Sequence, residues 1–357
     1  MSIRDLARPE IRELVPYDVP EVRADCLSLN ANEAPLSPYQ SFSADNINRY
    51  PELRPRSLQR AFAELYEIPV ERICPVRGSS EGIDLIVRTF CRAYRDNVVV
   101  LPPTFDMYAA YAAMQAAEVR YAPLRCDPVF TVNWQAVEDQ CNDNTRVVFL
   151  CSPNNPTGNL IPREEILAFA RLRADKSVVV VDEAYIEFSD QVSLANETGR
   201  LANLVVLRTL SKAHALAGAR CGAVIGDPVI IQMLSSLASP YAISTPVTRL
   251  VLEALQVENR DAAENQIANI IAQREALQAS LQNCAVATQV WRSEANFVLA
   301  RFANLPAVLA AMEKHRILIR ALPNDPLLED CARISVGMAA DTKSLVSALR
   351  NVTVPVP

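Results

Sequence analysis

Four short segments of this chain collect residue types that do chemistry. The run Val178-Val-Val-Val-Asp182-Glu-Ala-Tyr185 ends an apolar stretch in a carboxylate. At the carboxyl end of a parallel strand such a group faces a ligand site rather than bulk water, although a helix cap is its everyday alternative. The run Arg208-Thr-Leu-Ser-Lys212-Ala-His-Ala-Leu-Ala-Gly-Ala-Arg220 places a lysine among apolar neighbours. A desolvated lysine has a lowered pKa and forms a Schiff base with an aldehyde, although a lysine in such a run, taken singly, is more often a surface residue. Thr209, Ser211 and Arg220 add hydroxyls and a guanidinium fork suited to phosphate. Arg77-Gly78-Ser79-Ser80-Glu81-Gly82 opens a helical pattern, and free N–H groups at a helix start attract an anion. Cys151-Ser-Pro-Asn-Asn155-Pro-Thr-Gly158 is built of turn formers, with the Asn155 amide able to donate to a ring oxygen.

The elements that must position these residues follow from the apolar pattern. Continuous β-branched runs at 97–101, 146–151, 177–182, 204–208 and 222–225 read as buried strands. Helical spacing falls between them at 80–94, 105–117, 163–173 and 228–238. Strands apolar on both faces, separated by amphipathic helices, imply a mostly parallel sheet covered on both sides. The expected fold is therefore α/β, with a large domain over 46–240. Beyond it, a long helix at 247–282 precedes strands at 296–301, 317–319 and 333–336 and helices at 307–315 and 341–349. That order implies a smaller α+β C-terminal domain over 241–357, joined by an N-terminal arm over 1–45.

Composition narrows the function. The 357 residues, half of them hydrophobic, suffice for about two domains. A net charge of −6 removes the counterion-release drive of nucleic-acid binders, and no apolar run reaches the ~20 residues of a membrane span. Nine cysteines without a CxxC pair and a charged N-terminus predict reduced thiols and a cytoplasmic protein. With only two histidines, His214 and His315, and no ligand spacing among the cysteines, no metal site is expected. His214 reads as a packing residue and His315 as a surface or C-cap residue. Glycine is scarce, at eight, and all but Gly199 fall in segments that also gather polar residues. No G-x-G-x-x-G motif supports a nicotinamide-binding alternative.

The four segments, in this order, resemble the fold-type I pyridoxal-phosphate (PLP) aminotransferases. Leu29-Asn-Ala-Asn-Glu-Ala-Pro35, Asn48-Arg-Tyr-Pro51, Pro102-Pro-Thr-Phe-Asp-Met-Tyr108 and Arg333-Ile-Ser-Val-Gly337 extend the resemblance over residues 17 to 350. By residue, it implies that Lys212 holds PLP and moves the proton between substrate Cα and cofactor C4′. Asp182 would keep the pyridine nitrogen protonated, with Asn155 and Tyr185 on O3′. Phe105 would stack on the ring, keeping the stacking of a tyrosine common there and lacking its hydroxyl. The cofactor phosphate would fall to Ser79, Ser80, Thr209, Ser211, Arg220 and Tyr50 of the neighbouring subunit, which requires a homodimer with shared sites. Substrate contacts would come from Tyr17, Asn32, Tyr50, Arg320 and Arg333, the two arginines gripping an anionic end. The substrates implied are a phosphorylated amine, histidinol phosphate, and a 2-oxo acid, 2-oxoglutarate, in histidine biosynthesis. Threonine-phosphate decarboxylases and aromatic aminotransferases resemble the chain in the same segments, and a non-catalytic effector module lacks its expected basic extension here.

Overall fold

The computed structural model describes residues 2–14, 47–323, 325–350 and 352. Its strands are β1 (Ile73–Val76), β2 (Asn97–Val100), β3 (Glu118–Tyr121), a ribbon of β4 (Arg125–Cys126) and β5 (Phe130–Thr131), β6 (Thr145–Cys151), β7 (Val178–Asp182), β8 (Leu204–Thr209) and β9 (Gly222–Ile225). In the C-terminal part follow β10 (Ala287–Val290), β11 (Phe297–Phe302), β12 (Arg320–Ala321) and β13 (Cys331–Ser335). Seven of them form one sheet in the order β1-β9-β8-β7-β6-β2-β3. From β8 to β3 every neighbouring pair is parallel, and β9 runs antiparallel to both β8 and β1.

Alternation along these strands feeds two cores rather than one core and one wet face. Val98, Val100, Val147, Phe149, Val178, Val180, Val205 and Leu207 pack under helices Ser79–Phe90, Met107–Met114 and Pro228–Leu237. Their neighbours Val99, Val148, Leu150, Val179, Val181, Leu204 and Val206 pack under helices Arg56–Tyr66 and Arg163–Leu172. Full burial of each such side chain stabilises by about 1.5–3 kcal/mol, so the sheet is held rigidly from both sides.

A second, antiparallel sheet, β10-β11-β13-β12, is backed by helices Leu305–Lys314 and Ala339–Arg350 and by Leu277 and Leu281 of the long helix Val257–Gln282. Two devices dock it on the large sheet. Tyr185, Phe188 and Ala213, from the loops after β7 and β8, pack with Ala295 and Phe297. The buried Arg274 of the long helix donates to the carbonyls of Phe188 (2.8 Å) and Ala295 (3.2 Å).

Three expectations need correction. The helix read over 247–282 is two helices, Thr245–Ala254 and Val257–Gln282, because Gln256 is extended (φ −60°, ψ 151°) without any Gly or Pro to mark the break. The strand read over 317–319 starts later, at Arg320. Ile317 and Ile319 do pack inward and Leu318 is 96% exposed, but ladder pairing begins only opposite β13. Strands β1 and β3 were not expected. Both are sheet edges, where Pro75 is tolerated and where Glu118-Val-Arg-Tyr121 lacks a buried run. Among the described residues no helix is long and apolar enough to cross a membrane, and no group of His, Cys, Asp and Glu is placed to hold a metal ion.

Candidate active site

Parallel pairing brings the carboxyl ends of β6, β7 and β8 to one edge of the sheet, with Cys151 in register with Asp182 and Asp182 with Leu207. A cavity of about 260 Å³ lies there. It is lined by Ser79, Ser80, Phe105, Asn155, Asp182, Tyr185, Thr209, Ser211, Lys212, Arg220 and Arg333, all of them singled out in the sequence.

Asp182 forms the floor. One carboxylate oxygen accepts from the Ala184 N–H (3.1 Å) and the other from the Tyr108 hydroxyl (2.8 Å). Burial pushes its pKa up to about 6, against the pull of Tyr108, the Ala184 amide and Lys212. Lys212 stands above, its Nζ 5.5 Å from the centre of the Tyr185 ring, with no hydrogen bond or ion pair among the described residues. Burial, then Arg333 and Arg220, hold its pKa below the ordinary lysine value, while Asp182 acts in the opposite sense. A neutral, nucleophilic amine is thereby favoured.

At the other end the helix Ser79–Phe90 begins at Gly78, whose φ of 79° and ψ of 164° suit glycine alone. A Cβ there would meet the Arg220 guanidinium at 2.9 Å, so the guanidinium lies against the helix start. The Arg220 Nη1 donates to Ser211 Oγ (3.4 Å) and to the Ala217 carbonyl (3.1 Å). Gly222 permits this closeness from below: a Cβ would sit 2.6 Å from the Arg208 carbonyl oxygen and 3.3 Å from the Gly78 backbone. Helix N–H groups, hydroxyls and a guanidinium converge in a cradle for a dianion.

Arg333 links the cavity to a larger cleft of about 490 Å³. Its Nη1 donates to Asn155 Oδ1, which leaves the Asn155 Nδ2 donor unengaged among the described residues. Arg320 pairs directly opposite Arg333 across β12 and β13, and both line this cleft with Phe105. Two like charges set side by side oppose each other, which an anion between them relieves.

Tyr50 is not part of this chain's cavity; it is 56% exposed and stacks on Tyr241 at 4.5 Å. Tyr17 and Asn32 lie outside the described residues. His214 is partly buried, with burial lowering its pKa, and His315 is an exposed helix C-cap. The sequence reading missed Tyr108, which is fully buried, stacked on Phe149 and bonded to Asp182. Its signal was the helical spacing of three from Phe105. Cys151, another lining residue, has its thiol pKa pushed up to about 12 by burial and is inert at neutral pH.

A buried carboxylate and a desolvated lysine at adjacent strand ends, facing an anion cradle at a helix start, define an α/β enzyme site built around a phosphorylated aldehyde cofactor. The chain belongs to the class I and II aminotransferase family, whose sequence model matches residues 24–349. It is similar to the histidinol-phosphate aminotransferase of Yersinia pseudotuberculosis, at 38% identity over 354 residues, 98% of this chain and 91% of that one. The histidinol-phosphate aminotransferase of Pectobacterium atrosepticum is 38% identical over 352 residues, 98% of each. In fold it resembles the crystal structure of histidinol-phosphate aminotransferase from Sinorhizobium meliloti in complex with pyridoxal-5'-phosphate. There the TM-score is 0.78 at 24% identity, covering 90% of this chain and 89% of that one. The resemblance drawn from the motifs is thus borne out at the level of family and fold.

Proposed function

We propose that this chain is a PLP-dependent aminotransferase exchanging an amino group between histidinol phosphate and 2-oxoglutarate, yielding imidazole-acetol phosphate and glutamate in histidine biosynthesis. The observation that carries the reading is that the Lys212–Asp182 cavity adjoins a cleft bearing Arg320 and Arg333, the two sharing Phe105, Asn155 and Arg333 in their linings. The names of the relatives at 38% identity support the same substrate.

The residues fit PLP on chemical grounds. The cradle that a Cβ on Gly78 would fill suits the phosphate, with Ser79, Ser80, Thr209, Ser211 and Arg220 around it. Asp182 would face the pyridine nitrogen, Phe105 would stack on the ring, and Asn155 and Tyr185 would donate to its oxygen. Lys212 would hold the cofactor covalently through Nζ. When bound, PLP supplies an electron-sink ring for the electron pair left at the substrate Cα.

Every other contribution comes from the chain. Arg320 and Arg333 orient the substrate phosphate, which fixes the Cα–H bond relative to Lys212. Lys212, its pKa lowered by burial and then by Arg333 and Arg220, takes the proton from Cα as a general base and returns it as an acid. Asp182, with a pKa of about 6 and so mostly ionised at neutral pH, would supply the negative charge facing the pyridine nitrogen. Burial on both sheet faces keeps these groups fixed while the proton moves.

The active form on this reading is a cytoplasmic homodimer. Tyr50, exposed on its own chain and absent from its own cavity, is suited to the partner's site. The cysteines among the described residues are all free thiols, in keeping with a reducing compartment.

The test is spectroscopic. PLP-loaded protein is expected to show the long-wavelength band of lysine-bound cofactor, lose it on addition of histidinol phosphate, and regain it with 2-oxoglutarate. A band indifferent to histidinol phosphate overturns the substrate, and no band after PLP addition overturns the role of Lys212.

A further inference from the structure

Phe105 and Asn155, the residues expected on the cofactor ring's face and on its oxygen, sit on two loops that meet at one buried side chain. Asn154 is 3% exposed and lines neither the inner cavity nor the outer cleft. Its Nδ2 donates to the Pro103 carbonyl (2.8 Å) and to Thr157 Oγ1 (2.6 Å), and its Oδ1 accepts from Thr104 Oγ1 (2.8 Å). Because the Pro103 carbonyl can only accept, the amide faces one way. The Asn154 backbone is pinned as well: its N–H donates to the Asn159 carbonyl (2.8 Å), and its carbonyl accepts from the Gly158 N–H (2.7 Å). Thr104 lies 50 positions away in the chain and directly precedes Phe105, so the side chain ties two separate loops together.

Residues 101–106 and 152–162 are neither helix nor strand, so no regular ladder sets where Phe105 and Asn155 point. Beyond the Asn154 tie, Phe105 meets Tyr108 edge-on at 5.6 Å and Asn155 accepts from Arg333. We propose that Asn154 is a positioning residue for the reaction: its amide fixes the Phe105 ring and the Asn155 Nδ2 donor relative to each other, without touching cofactor or substrate. A buried network whose members are all satisfied is rigid, and rigidity is what a stacking face and a hydrogen-bond donor need if they are to meet one ring together. The consequence for the cofactor has a direction. A donor on the ring oxygen draws off negative charge that would otherwise hold the proton on the nitrogen joined to Lys212, so that proton leaves at lower pH. Displacing Asn155 raises the pH at which the absorbance of the lysine-bound cofactor changes, and displacing Phe105 weakens cofactor binding.

This inference rests on the function proposed above, and the experiment separates the two. PLP-loaded wild type, Asn154→Ala, Asn155→Ala and the double variant are titrated with acid and base while the absorbance band of the lysine-bound cofactor is followed, and PLP affinity is read by fluorescence titration of the cofactor-free proteins. Asn154→Ala should raise the pH midpoint of the band by about one unit and the PLP dissociation constant about tenfold. In the Asn155→Ala background the same substitution should move the midpoint no further, because the group it positions is gone. Thr104→Val removes one of the three bonds and keeps the side-chain shape; it should shift both quantities in the same direction by less, and it supplies the test if Asn154→Ala folds poorly. A merely structural role lowers the unfolding temperature and leaves the midpoint where it is in wild type, which overturns the inference. A PLP dissociation constant equal to that of wild type overturns it too, as does a midpoint shift of the same size with and without Asn155. If wild type itself shows no band with PLP, the underlying function falls instead.

Discussion

The Tyr108 hydroxyl donates to the Asp182 carboxylate across 2.8 Å, from a ring that is itself fully buried and stacked on Phe149 at 4.8 Å. Burial favours the neutral acid at this position, and the tyrosine is the strongest of the contacts that oppose it. Tyr108→Phe keeps the packing and removes the donor. Asp182 should then titrate above its value of about 6, so the acid limb of the kcat/KM profile moves to higher pH. At neutral pH kcat should fall about tenfold, and the lost buried bond should cost about 1–3 kcal/mol of stability. Profiles recorded between about pH 5 and 9 check this; an acid limb that stays in place counts against coupling of the two residues.

Asp182 should also make the cofactor-free protein less stable than it need be. Its folded pKa of about 6 lies above the unfolded 3.8, so the favourable contribution of its protonated form is complete below about pH 4. That contribution is lost as the pH rises through about 6, and above this the fold carries the full cost of a buried charge. Asp182→Asn removes the ionisation. Its Oδ1 can accept from Ala184 while its Nδ2 donates to the Tyr108 oxygen, so both neighbours stay partnered. Without PLP, this variant should gain roughly 2–3 kcal/mol at pH 7.5 in urea unfolding and lose most of the slope between pH 4 and 6. Transamination should collapse in the same variant, because the charge that would face the pyridine nitrogen is gone. Equal stability of the two proteins at pH 7.5 would show that solvent reaches Asp182.

Gly78 offers a test of the anion cradle that avoids every charged group. With φ 79° and ψ 164° it sits where side chains are excluded, and an added Cβ meets the Arg220 guanidinium at 2.9 Å. Gly78→Ala should therefore cost about 1–3 kcal/mol in backbone strain and displace Arg220. The PLP dissociation constant should rise about tenfold, read by fluorescence titration. Gly218→Ala is the control: nothing lies within 4 Å of its added Cβ, and both stability and PLP affinity should be unchanged. Equal affinity in the two variants would remove Arg220 from the phosphate site.

What could be seen in the sequence follows from what each position has to satisfy. The runs ending at Cys151, Asp182 and Thr209 are apolar without interruption because both sheet faces are buried, so period and composition agree. Lys212, Asn155 and Arg220 stood out because polar residues cluster where those runs stop. Edge strand β3 was hidden because its side chains are exposed or half-buried and make no apolar run, and β1, although buried, because it is only four residues long and contains Pro75. Tyr108 was hidden for the opposite reason: an aromatic on an apolar helix face looks like core, and it is core except for one hydroxyl. The Arg320–Arg333 pair depends on strand register, which no local spacing encodes.

Tyr50 gives the test of a shared site. It is 56% exposed, rests on Tyr241 and does not reach the cavity of its own chain, yet the Asn-Arg-Tyr-Pro segment resembles one that binds cofactor phosphate. If it serves the partner's site, Tyr50→Ala and Lys212→Ala are defects on opposite sides of one interface. Each variant alone should be nearly inactive, the second because no amine remains to move the Cα proton. In a hybrid dimer, the site with an intact Lys212 receives an intact Tyr50 from the other chain, and the remaining site carries both defects. Mixing equal amounts through mild denaturation makes half the dimers hybrid, each with one working site of two. Activity should therefore recover to about a quarter of wild type. If Tyr50 acted within its own chain, every site in the mixture would carry one defect or the other, and no activity would return. Tagging the two variants differently and assaying the doubly tagged fraction distinguishes that outcome from a failure to mix.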